Sequence, residues 1–150
     1  MELILWRHAE AEPGEPDAAR RLTTKGGKQA ARMAAWLERH LPEGCRIVVS
    51  PAVRAQQTAS ALGRSFRTVD ALGPGTSPQA LLDAAGWPAG RGAVVVVGHQ
   101  PTLGAAAALA LCGLAQPWSV RKGAVWWLSD RQRGEAGTVV LRAVIAPDFV

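Results

Sequence analysis

Apolar residues fall in short runs that end abruptly at polar or turn-forming residues, with longer helically spaced stretches between them. Residues 3–6 run apolar and stop at Arg7-His8, Arg46–Val49 stops at Ser50-Pro51, and residues 93–97 stop at Gly98-His99. Runs of this length suit strands covered on both faces. Residues 25–41 place Ala30, Met33, Ala34, Leu37 and Leu41 at the spacing of a half-buried helix, with Thr23 or Thr24 to cap it. Ser50-Pro51 reads as a cap and first turn for a helix over residues 51–62, and Ser77-Pro78 opens a shorter one through Ala85. Residues 67–72 read as extended, residues 102–112 as a small-residue helix, and residues 124–128 and 138–145 as two closing strands. The polar loop 129–137 would join that last pair as a hairpin at one side of the sheet.

Strand and helix alternate through most of the chain, which predicts an α/β fold: a three-layer α/β/α sandwich with a mostly parallel central sheet. Residues 9–24 form a long loop without periodicity, a length that in compact domains is often functional. At 150 residues, 48% hydrophobic and 19% charged, the chain has the size and composition of one domain, residues 1–150, and lies far from disordered compositions.

The net charge is +5, and 14 of the 17 cations are Arg, whose planar fork matches phosphate and carboxylate oxygens. Those outside the strand ends are scattered without interleaved aromatics, which argues against nucleic acid as a partner. They would serve to steer an acidic protein surface. Cys45 and Cys112 show neither a disulfide framework nor zinc-ligand spacing, and no metal or cofactor is expected. The N-terminal segment lacks a basic signal-peptide region, and the longest apolar run, residues 105–112, is too short to span a bilayer, so a cytoplasmic protein without membrane contact is expected. Of the six Trp, Trp6, Trp36, Trp126 and Trp127 fall on core-patterned elements and are assigned to packing, whereas Trp87 and Trp118 lie in loops, where packing is again the expectation and lining a substrate entrance the alternative.

In open α/β sheets, ligands gather where the strands end. Three strand ends here deliver Arg7, His8, Arg54 and His99 to one edge. Arg54 would sit in the first turn of its helix, where free N–H groups and the dipole favour an anion. Singly, each His is more often a hydrogen-bonded structural residue and each Arg a surface cation. Together they predict a positive cup sized for one phosphoryl group. His40, late in the first helix, is expected to be solvated.

These blocks resemble the histidine phosphatase superfamily, also grouped with the phosphoglycerate mutases. They are Leu-Ile-Leu-Trp-Arg7-His8, then Arg21-Leu22-Thr23 with Gly26, then Val49-Ser50-Pro51-Ala-Val-Arg54-Ala-Gln-Gln57-Thr58, then Gly98-His99-Gln-Pro101. The short length, Asp17-x-x-Arg20-x-Leu22-Thr23 and Lys122-Gly123-Ala124 followed by Trp126-Trp127 look most like the SixA-type phosphohistidine phosphatases. The resemblance implies a phosphoglycerate mutase-like fold and metal-independent chemistry. His8 would attack phosphorus and become transiently phosphorylated, with Arg7, Arg54 and His99 holding the phosphate oxygens. It implies as partner a phosphohistidine-bearing protein, such as a phosphotransfer domain, or else a small phosphorylated substrate.

Two positions depart from the family pattern. Ala9 stands where Gly usually follows the nucleophile, which should tighten the pocket by a methyl group. The glutamate that often protonates the leaving oxygen has no counterpart, since no Glu lies between Glu43 and Glu135. An alkoxide leaves slowly without a proton, its parent alcohol being about as weak an acid as water at ~15.7. Imidazole, with a conjugate acid of pKa ~6.5, leaves readily once protonated by solvent. Phosphohistidine is therefore the expected substrate. A phosphomonoesterase using Asp17, Glu10, Glu12 or Asp70 as the acid is the alternative, and a noncatalytic phosphate-binding module is a third.

Overall fold

The computed structural model describes residues 1–131 and 138–150. It contains strands β1 (Glu2–Arg7), β2 (Arg46–Val49), β3 (Arg67–Thr68), β4 (Ala93–Gly98), β5 (Val125–Asp130) and β6 (Val139–Ile145). Helices are α1 (Thr24–His40), α2 (Val53–Ser60), α3 (Pro78–Ala85) and α4 (Thr102–Cys112). The sheet order is β3-β2-β4-β1-β5-β6. The first four strands in that order run parallel, and β5 and β6 are antiparallel to their neighbours. The closing pair therefore lies at one side, as the sequence predicts, although Ser129 and Asp130 extend β5 rather than opening a loop. Most of that predicted loop, residues 132–137, lies outside the described residues.

Alternation along the strands builds the three layers. Leu3, Leu5, Val48, Val94 and Val96 face one way and pack with Leu81 and Leu82 of α3 and Leu103 and Ala106 of α4. Ile4, Trp6, Ile47, Val49, Val95 and Val97 face the other way, onto Met33 and Leu37 of α1 and Ala55 and Ala59 of α2. With both faces covered, the interior of β1, residues 3–6, and β4 can be uninterrupted apolar runs. Among the described residues, no helix is long and apolar enough to cross a membrane.

Two local readings need correction. Ser50 does not cap a helix beginning at Pro51: α2 starts at Val53, with Ala52 as a cap residue that supplies no side-chain bond. The stretch 67–72 is extended only at Arg67 and Thr68, then tightens into a 3₁₀ turn over Asp70–Leu72. Trp87 and Trp118 take the packing role. Trp87 belongs to the α3/α4 core, and Trp118 packs against that core with its ring 6.1 Å from that of Trp126.

Candidate active site

Strand register assembles the site. β1 pairs with β4 so that Arg7 lies opposite Gly98, and β2 pairs with β4 so that Val49 lies opposite Val97. The residues that follow, His8, His99 and Ser50, therefore emerge side by side at the carboxyl edge. The His8 amide donates to Gly98 O (3.1 Å) and the Ser50 amide to Val97 O (3.0 Å), extending the ladder by one residue each. Of the eight buried polar or charged residues among those described, His8, Ser50, Arg54, Thr58 and His99 gather here, so buried polarity concentrates at this edge.

The two imidazoles lie 5.1 Å apart, centroid to centroid. Arg54, 4% exposed, lies in the first turn of α2 and reaches both. Its Nε donates to His8 Nε2 at 3.3 Å, and its Nη2 donates to His99 Nδ1 at 3.4 Å. A guanidinium only donates, so both of these ring nitrogens are unprotonated. His8 Nδ1 must then carry the proton, which it donates to Ala9 O at 2.8 Å. His99 correspondingly donates its Nε2 proton to Ser50 Oγ at 2.7 Å. Burial pushes the His8 pKa down to about 4 and Arg54 and Arg7 push the same way; burial, then His8 and Arg54, push His99 down to about 3. The site is thus a neutral imidazole pair held against fixed positive charge, in which His8 Nε2 is unprotonated and its lone pair accepts from Arg54; an imidazole in that state can act as a nucleophile once the guanidinium turns to a bound phosphate.

The loop after β1 is clamped to α2 and α1. Thr58, one turn after Arg54, donates to Arg54 O (2.8 Å) and accepts from the Ala9 amide (3.0 Å). The methyl of Ala9 is fully buried, so the chain accommodates it within the core. Gly26 lets α1 press on this loop: a Cβ there would lie 2.0 Å from Glu10 O. Arg7 donates from Nη1 to Val120 O (2.8 Å), while its Nε is buried without a protein partner.

The four candidate acids fare differently. Asp17 Oδ2 accepts from Arg54 Nη2 at 3.0 Å, and Asp17 O accepts from Arg54 Nη1 at 2.9 Å. Its other carboxylate oxygen accepts from Arg20 Nη1 at 3.0 Å. Bonds first from Arg20 and then from Arg54 hold this carboxyl below the usual range, so at neutral pH it has no proton to give. Glu10 accepts from Thr23 Oγ1 at 2.8 Å and lies beside Arg7, outside the cup. Glu12 and Asp70 are exposed, and their carboxylates bond to none of Arg7, His8, Arg54 or His99. Ser50 and Thr58 are the positioning residues that residue-by-residue reading missed. The Arg54/Thr58 spacing of four, one helical turn, was the available signal for Thr58; a Ser-Pro pair looks the same whether it caps a helix or holds an imidazole. Among the described residues, no group of three His, Cys, Asp or Glu side chains could hold a metal ion.

A family model described as "Histidine phosphatase superfamily (branch 1)" matches residues 3–72. The chain is 42% identical over 72 residues to a Haemophilus influenzae protein named "Phosphohistidine phosphatase SixA homolog", covering 44% of each chain. That match spans less than half of the relative. Solved structures align over nearly the whole length. One, of the protein histidine phosphatase SixA complexed with tungstate, superposes with a TM-score of 0.80 at 26% identity, covering 99% of both chains. Another, a putative phosphohistidine phosphatase SixA from Nakamurella multipartita, gives 0.79 at 32% identity, covering 97% of this chain and 95% of that one. On the combined sequence and structural match, the chain belongs to the histidine phosphatase superfamily, in its SixA-type group.

Proposed function

We propose that residues 1–150 act as a single histidine phosphatase domain, a cytoplasmic enzyme that removes phosphate from phosphohistidine on a protein through a phosphorylated His8. The observation that carries this reading is the tautomer of His8, whose unprotonated Nε2 faces the cup while Nδ1 is tied to Ala9 O. An SixA structure at 26% identity holds tungstate, an oxyanion of phosphate shape, which supports an oxyanion site in this chain.

In the first step His8 Nε2 forms a bond to phosphorus as the substrate's N–P bond breaks, and the departing imidazole takes a proton from solvent. In the second, water attacks phosphorus, the His8 N–P bond breaks, and inorganic phosphate leaves with His8 neutral again. Phosphoryl transfer needs mainly positioning and neutralisation of the equatorial oxygens. Arg54 supplies a preorganised fork, and Arg7 a guanidinium whose Nε has no protein partner. His99 Nδ1, unprotonated in the empty cup, would gain a proton as the dianion arrives and then donate to it. No step requires a metal, so turnover should survive EDTA.

A second reading, phosphomonoester hydrolysis, would need an acid at the cup; Asp17 reaches it by pairing with Arg54, although that pairing holds the carboxylate ionised. The test is a panel in which a phosphohistidine peptide competes with sugar phosphates, run with rapid-quench trapping of enzyme-bound phosphate. Faster turnover of sugar phosphates would overturn the substrate. Tight phosphate binding with no acid-labile phosphate on the protein would overturn the chemistry, leaving a binding module.

A further inference from the structure

Beside the cup lies an open groove of about 630 Å³ that shares Arg7 with it. Its cations are Lys25, Lys28 and Arg32 on α1 and Arg121 and Lys122 on the segment before β5. Lysines occur at only three positions in this Arg-rich chain, and all three line this groove. Two acids answer them: Glu10, already bonded to Thr23, and Asp148, at 4.0 Å from Arg121. Among the described residues, Lys25, Lys28, Arg32 and Lys122 form no ion pair, and all four are exposed.

The arrangement disfavours the free protein. Lys25, Lys28 and Arg32 follow i, i+3, i+7 spacing and form one stripe on α1. Lys25 stands in the first turn, which holds no acid, so the dipole opposes it, and mutual repulsion opposes all three. An external anionic surface would relieve that repulsion. The stripe spans eight residues, 25–32, roughly 10 Å along the helix from first to last, longer than one phosphoryl group. Flexible, hydrated lysines suit a diffuse run of carboxylates, whereas the chain uses Arg where it needs a fixed fork, at Arg54. No aromatic side chain lines the groove to stack a base.

We propose that this groove docks the acidic face of the phosphohistidine-bearing protein, so that carboxylates flanking the substrate histidine lie along α1 while its phosphoryl group enters the cup. This rests on the phosphohistidine reading above. The test uses two peptides, each chemically phosphorylated on its single histidine, one flanked by four glutamates and the other by four serines. At low ionic strength kcat/KM should be about tenfold higher for the glutamate peptide, and that preference should collapse in high salt, as a steering field does. The combined change Lys25→Glu, Lys28→Glu and Arg32→Glu should erase the preference. It should not unfold α1, because it places acids in the helix's first half. Equal kcat/KM for both peptides would overturn the docking groove alone. Turnover of neither peptide would overturn the phosphohistidine reading and the groove's role with it.

Discussion

Arg54 Nε lies 3.3 Å from Nε2 of His8, and this contact fixes which imidazole nitrogen is unprotonated. A histidine in water exchanges its proton between the two nitrogens. Here the guanidinium can only donate, and Ala9 O on the other side can only accept, so a single tautomer satisfies both. The cation that would neutralise a phosphate therefore also presents the nucleophile in its reactive form.

The tautomer argument makes His8 irreplaceable. His8→Ala should bring phosphohistidine turnover below detection and abolish acid-labile labelling of the protein. His40→Ala should leave turnover unchanged, because that ring is exposed, stacks on Trp36 at 4.4 Å and donates from Nδ1 to Trp36 O on the far end of α1. Residual label on the His8→Ala protein would place the nucleophile elsewhere.

Arg54→Lys should cost nearly as much as Arg54→Ala. An ammonium is a point charge and cannot address His8, His99 and Asp17 at once, as the fork does. Losing one preorganised donor of this kind typically costs ~3–4 kcal/mol at the transition state, so kcat should fall by about 10²–10³. Steady-state kinetics showing Lys within about threefold of the native enzyme would mean that charge alone suffices.

Why the fold and cup were legible follows from where the information sits. Short apolar runs that stop at polar residues are written into the chain itself, so β1, β2 and β4 and their polar termini could be read directly. Tautomers and the partners of Ser50 were not legible, since they depend on which strand ends become neighbours across a sheet in the order β3-β2-β4-β1.

Burial of both imidazoles ties stability to pH. Their pKa values, about 4 for His8 and about 3 for His99, lie below the ~6.5 of an unfolded histidine. The unfolded chain therefore binds more protons in that interval. The contribution to stability is complete above about pH 6.5 and is lost as pH falls toward 4 and then 3. NMR titration of the imidazole signals should show no midpoint near 6.5 for either residue. Inorganic phosphate should raise the His99 midpoint by placing negative charge beside Nδ1.

Ser50→Ala should separate positioning from packing. The hydroxyl accepts from His99 Nε2 at 2.7 Å and from the Ala52 amide at 3.2 Å, at a site with no exposure. Leaving a buried donor unpaired costs about 1–3 kcal/mol, which denaturation should detect. A merely structural role would stop there. If Ser50 holds His99 in its tautomer, the variant should also lose the phosphate-induced rise in the His99 midpoint, and Ser50→Thr should restore it.

Asp17 distinguishes the two substrate readings most sharply. Its carboxylate is held ionised by Arg20 and Arg54, half exposed, and bonded to the same Nη2 that reaches His99. In that state it competes with an incoming oxyanion for Arg54 and offers no proton to a leaving group. Asp17→Asn should therefore leave phosphohistidine kcat within about threefold, because imidazole departs with a solvent proton. It should also tighten inorganic phosphate binding severalfold, since the neutral amide no longer offsets the guanidinium. Isothermal titration of phosphate together with turnover of a phosphohistidine peptide reads both effects. A loss of 10²-fold or more in kcat, the scale of a missing general acid, with unchanged phosphate affinity would make Asp17 the proton donor and shift the balance toward a phosphomonoester substrate.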